Sequence, residues 1–222
     1  MIPARAIMLA LLLLPAPALA DGSTIFPDSH YYDRYRAEAR AGDARAQFIW
    51  GLLLERGVHG QPDPMAAAQW YERAADQGHA DARYKLGQLY QQGRGVPQDL
   101  ALAAQYYRAA AEQGQAEAQY SLAYLYETGE GVPRDIAQAV DLYRAAAGQK
   151  VALAMRNLGL LYAAGPAPIK QDEVRAWFWL SLAAEQGDLQ AQALRDQVAG
   201  HLDGDGQMRA QAMLKDWRGG GG

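Results

Sequence analysis

Small residues recur in this chain at a spacing of 36 positions. Gly42, Gly78 and Gly114 form one such column, Gly51, Gly87, Ala123 and Gly159 a second, and Gly57, Gly93, Gly129 and Gly165 a third, all at 36-residue steps. A fixed period of this length marks a solenoid of stacked helical hairpins, because no single hairpin can bury its apolar face alone. The expected fold is therefore all-α: a right-handed α-solenoid of helix-turn-helix repeats.

The stretch from Ala82 to Gly114 shows one unit clearly. In its first helix Ala82, Leu86, Gly87, Leu89 and Tyr90 fall mostly on one face. Gly87 sits mid-helix, where glycine costs about 1 kcal/mol against alanine, and its recurrence suggests the close approach of another backbone. The helix should stop near Gly93 in a left-handed turn. Asp99 then caps the second helix, as do Asp63, Asp135 and Asp172 in their own units. Pro64 follows Asp63 at the first helical position, and Asp135 with Gln138 has capping-box spacing. The second helix buries Ala103, Tyr107, Ala110 and Ala111. Its columns continue as Ala67, Ala139 and Ala176; Tyr71, Tyr143 and Leu180; Ala74, Ala146 and Ala183. The small residues allow close packing, and the aromatic is expected to fill the space between units.

These positions resemble the Sel-one-like repeat, a relative of the tetratricopeptide repeat. The resemblance is carried by Ala82, Leu86, Gly87, Tyr90, Gly93, Gly95, Val96, Asp99, Ala103, Tyr106, Tyr107, Ala110, Ala111 and Gly114. It extends over about residues 40–200, with units at 42–77, 78–113, 114–149 and 150–187. The resemblance implies a non-catalytic scaffold or adaptor that binds another protein or a peptide.

Met1 to Ala20 reads as a secretory signal peptide, with Arg5, an apolar run from Ala6 to Leu14 and the small-x-small site Ala18-Leu19-Ala20. The run is shorter than the ~20 residues of a membrane span. No cysteine follows the site, so a lipoprotein anchor is not expected. The expected location is the periplasm or beyond, with no stable membrane anchor. Loss of Arg5 moves the formal net charge from −4 to −5, which gives no support for nucleic-acid binding. Without cysteine the fold has no disulfides and must rely on its stacked core.

Residues 21–41 read as a polar lead followed by a capping helix with Tyr31, Tyr32, Tyr35 and Ala39. Unit four departs from the pattern: Lys150 stands where the others have glycine, and the turn from Gly165 to Ile169 lengthens its period to 37. Residues 188–217 read as a C-terminal capping pair, with a helix from Asp188 to Ala199 and a second from Gln207 to Trp217 after an Asp-Gly-Asp-Gly turn. Residues 218–222 are a glycine tail. Trp177 and Trp179 project about 200° apart on a helix, so both cannot face one core, and the C-terminal pair is expected to cover one of them.

Chemistry is sparse. His30, His59, His79 and His201 lie far apart and outside any zinc-binding spacing. Asp203-Gly204-Asp205-Gly206 lacks the later ligands of a calcium loop. Gly93-Arg94-Gly95 follows a helix and has no P-loop lysine. No nucleophile motif is present, so neither enzymatic activity nor a cofactor is expected. The better candidate is a surface. First-helix residues outside the core form two columns: Phe48, Tyr84, Tyr120 and Arg156, then Leu52, Gln88, Tyr124 and Leu160, with Lys85, Gln91 and Gln92 beside them. Aromatics with a polar tip suit protein recognition along a concave groove. Tyr84, Tyr120 and Tyr124 with Glu117 and Glu127 also suit the alternative of a cell-wall glycan binder or envelope enzyme. A monomer is expected.

Overall fold

The computed structural model describes residues 29–58 and 60–220, with side chains from Tyr32 onward. The leader, the polar lead at Asp21–Asp28, His59, the His30 side chain and the last two glycines lie outside the described residues. Eleven helices and no strand are found among the described residues. They are α1 (Ser29–Arg40), α2 (Ala44–Arg56), α3 (Pro64–Asp76), α4 (Ala80–Gln92), α5 (Leu100–Ala111), α6 (Ala116–Thr128), α7 (Ile136–Gly148), α8 (Ala152–Ala164), α9 (Glu173–Glu185), α10 (Leu189–Ala199) and α11 (Gly204–Arg218). Consecutive helices pack on one another from α1 to α10, and α11 folds back onto α9. The result is an α-solenoid whose core runs in two blocks, one around α2 to α4 and one from α5 to the end, with Tyr90 packed against both.

The helix boundaries follow the local chemistry of the repeat. Asp63, Asp99, Asp135 and Asp172 each accept a hydrogen bond from the backbone N–H three residues on, at 2.9–3.0 Å. The first helices stop at Gly57, Gly93, Gly129 and Gly165, with φ between 62° and 79°. Gly131 has φ +71°, and a Cβ there would lie 2.3 Å from Leu100 O. The turn of one unit thus presses on the start of the second helix of the unit before it. Lys150 keeps the backbone of the glycine it replaces, with φ +68°.

Three local expectations are corrected. The neighbour that demands glycine in mid-helix is mainly a side chain: a Cβ at Gly87 would lie 2.5 Å from Tyr107 Cε1, and one at Gly51 2.6 Å from Tyr71 Cε1. The recurrent tyrosine therefore fills the space within its own hairpin. Asp135 and Gln138 form no reciprocal box, because Gln138 Nε2 donates to the Asp135 carboxylate at 3.1 Å and Asp135 N–H is taken by Tyr126 O. The last helix starts at Gly204, three residues earlier than expected, because Asp203 caps it through Gly206 N at 2.7 Å. Trp217 on that helix packs edge-on against Trp179 and Phe178, with ring centroids at 5.5 and 5.9 Å. Trp179 is covered in this way, and Trp177 is half-buried.

Candidate functional site

The first helices α2, α4, α6 and α8 place the two columns side by side, but the nine side chains meet different surroundings. Phe48 is buried, stacked on His79 at 4.7 Å and packed on Tyr71 at 5.8 Å. Tyr84 and Tyr120 are half-buried, each 5.8 Å from the tyrosine of its own hairpin, Tyr107 or Tyr143. Burial pushes both phenols above their ordinary value, the nearby Arg156 partly opposing this at Tyr120. Gln88 Nε2 donates to the Tyr84 hydroxyl at 2.9 Å, so Gln88 steadies a neighbour. Lys85 reaches the Glu55 carboxylate at 3.5 Å.

Arg156 does not stand free in the groove. It pairs with Asp188 at 2.8 Å, and Asp188 also caps α10. That pair joins the fourth hairpin to the C-terminal helices. Leu52 is half-buried. Tyr124 and Leu160 remain, 38% and 40% exposed. They occupy the same position in successive units and are the predicted groove residues that offer open surface.

Behind this face runs a polar column that the sequence did not announce. Tyr71, Tyr107 and Tyr143 are fully buried, and their hydroxyls donate to Glu55, Gln91 and Glu127 at 2.6–2.7 Å. A polar residue of the following unit completes each junction. Lys85 contacts Glu55, Ser121 stands at the same register beside the Tyr84 and Tyr107 hydroxyls, and Asn157 Nδ2 donates to the Tyr143 hydroxyl at 2.8 Å. The signal was the recurrence of Glu, Gln and Glu at one register, which in a sequence looks like ordinary solvated surface.

The fourth hairpin breaks that column and leaves a pocket of about 210 Å³. Leu160, Ala163, Leu180, Leu194 and Val198 form its apolar part, and Gln171, Glu173, Gln197 and His201 complete the lining. A wider polar cleft of about 520 Å³ adjoins it between the start of α9 and the α10–α11 turn. Among the described residues no cluster of three or more His, Cys, Asp or Glu side chains is gathered for a metal. His79 caps α4 through Nδ1, and His201 is exposed beside Glu173 at 3.6 Å.

Stacked hairpins with a partly open first-helix face define a helical-repeat scaffold, a class that commonly mediates protein interactions. A family model of the Sel1 repeat matches residues 44–79, 80–115, 116–150 and 152–188, and the chain belongs to that family. No curated protein matches the chain. Among solved structures it is similar to a protective antigen present in uropathogenic Escherichia coli strains that displays an SLR fold. The two share 37% identity and a TM-score of 0.69, over 72% of this chain and 34% of that one. The chain thus spans about a third of the antigen's length. It is also similar to a Sel1 repeat protein from Oxalobacter formigenes, at 29% identity and a TM-score of 0.67, over 76% and 74% of the two chains. No helix among the described residues is long and apolar enough to cross a membrane.

Proposed function

We propose that this protein is an exported, non-catalytic adaptor that holds a partner protein or peptide against the face formed by its first helices. The observation that carries the reading is the pair Tyr124 and Leu160. They are large, open to solvent, one repeat apart and set on a rigid helical frame. Large exposed side chains on a preformed surface bind with little ordering cost, and an extended or helical segment would meet them one unit at a time. The periplasm suits the pattern at Met1 to Ala20. The glycan alternative has less support, because Tyr84 and Tyr120 are half-buried against other rings and Tyr124 alone of its aromatics is open.

The test is photocrosslinking in cells, with a photoreactive residue at Tyr124, at Leu160 or, as a control, at the exposed Gln105 on α5. A dominant protein adduct from the first two positions and none from Gln105 is the expected result. Tyr124→Ala is expected to weaken binding of that adduct's partner about tenfold. Only background adducts, with the protein folded and exported, would remove the groove reading.

A further inference from the structure

We propose that the fourth hairpin carries a socket for one aromatic side chain of a partner peptide, with a lysine or arginine next to that residue. The proposal rests on the groove reading above and adds the residue class that the groove selects. It starts from three junctions and one exception. In the first three hairpins a buried tyrosine, its acceptor and a polar residue of the next unit meet: Tyr71, Glu55 and Lys85; Tyr107, Gln91 and Ser121; Tyr143, Glu127 and Asn157. At the fourth junction the same three places hold Leu180, Ala163 and Leu194. All three have become apolar together, and all three line the pocket.

Leu180 still packs on the mid-helix glycine, since a Cβ at Gly159 would lie 2.5 Å from Leu180 Cγ. It thus replaces the inner part of a tyrosine and leaves out the outer ring and hydroxyl. Ala163 removes the acceptor that such a hydroxyl would need. The space of about 210 Å³ is ample for one ring, because an apolar cavity of about 150 Å³ takes up benzene. Leu160 stands 40% exposed at the pocket and links it to the open part of the face.

Charge at the rim selects the flanking residue. Glu173 in the lining has one ion-pair contact among the described residues, the exposed His201 at 3.6 Å. A lining carboxylate whose ion-pair contact is an exposed histidine favours a cationic neighbour on the ligand. The occupant is an external segment.

The test is selection from a random nonapeptide library displayed on phage, against the purified protein and two variants. Leu180→Tyr with Ala163→Gln copies Tyr107 and Gln91 and fills the socket. Leu194→Lys copies Lys85 and sets a cation in the wall from α10, leaving every residue of the α8–α9 hairpin unchanged. Thermal melts show that the variants are folded, and the second keeps the test alive if the first is not. The expected result is enrichment of clones with Phe, Tyr or Trp next to Lys or Arg, at least tenfold less on either folded variant. No enrichment, enrichment without an aromatic, acidic neighbours, or equal enrichment on the variants would overturn the proposal. Free phenol binding as tightly as the best peptide would assign a small-molecule site and overturn it too. A Tyr124 adduct that persists while no socket-dependent clones appear removes the socket and leaves the groove. Socket-dependent clones without any Tyr124 or Leu160 adduct do the reverse.

Discussion

The Tyr143 hydroxyl donates a 2.6 Å hydrogen bond to the Glu127 carboxylate, and the same hydroxyl accepts from Asn157 Nδ2 at 2.8 Å. The ring itself is fully buried. One atom therefore joins both helices of the third hairpin to the fourth unit. Tyr143→Phe removes it and leaves both partners to find water, so a loss of about 1–2 kcal/mol is expected. Glu127→Ala leaves a buried hydroxyl without its acceptor, at about 1–3 kcal/mol. The double variant should lose less than the sum, with a coupling of about 1 kcal/mol in urea denaturation. Simple additivity would show that the bond contributes nothing of its own.

The same column predicts how the fold fails in alkali. Burial, reinforced at Tyr71 and Tyr143 by a carboxylate acceptor, pushes the phenols of Tyr71, Tyr107 and Tyr143 above their ordinary value. An acid whose pKa is raised by folding stabilises the fold fully below its unfolded pKa and loses that contribution as pH rises above it. Stability in urea is thus expected to hold to about pH 9.5 and to fall beyond about pH 10. Tyrosinate absorbance is the check. These three phenols should ionise only as the chain unfolds, whereas exposed phenols titrate in the folded state. Complete ionisation before unfolding would contradict their burial.

The period, the capping aspartates and the glycine stops were legible because each is a local backbone requirement repeated in register. Phe48 and Arg156 show what a period does not carry. Both lie in the predicted groove column, yet Phe48 is covered by His79 and Tyr71, and Arg156 is held by Asp188. How far a side chain is covered depends on the neighbouring unit, and that is set by packing across some 20 to 35 residues. The break from Tyr143 to Leu180 was visible in the alignment of units. Its consequence was not, because the pocket needs the simultaneous change at Ala163 and Leu194, which belong to two other helices.

His79 gives a prediction at acid pH. Its Nδ1 accepts from Ala82 N–H at the start of α4, and its ring stacks on Phe48. Burial lowers its pKa, with Arg45 acting in the same direction and Asp81 and Asp43 opposing. A base whose pKa is lowered by folding contributes stability that is present above its unfolded pKa and lost as pH falls below it. The melting temperature should therefore drop as pH falls below about 6.5. His79→Gln copies the cap that Gln115 makes to Ala118 N–H. In that variant the drop between about pH 7.5 and about pH 5.5 should shrink. An unchanged drop would place the acid sensitivity elsewhere.

Lys150 offers a test of the repeat backbone itself. Gly42, Gly78, Gly114 and Gly187 hold the equivalent place with φ between 83° and 103°, and Lys150 holds it at 68°. A left-handed conformation costs an L-residue about 1–2 kcal/mol. Glycine avoids that cost but gives the unfolded chain more freedom, worth about 0.4–1 kcal/mol. Lys150 is exposed, so no packing is lost with its side chain. Lys150→Gly is therefore expected to stabilise by about 0.5–1 kcal/mol, a rise of a few degrees in melting temperature. The reciprocal change separates backbone from side chain. A Cβ at Gly114 would meet nothing within 4 Å, so Gly114→Lys should destabilise by a similar amount through conformation alone. If both exchanges leave the melting temperature unchanged, the glycine column is not selecting for the left-handed turn.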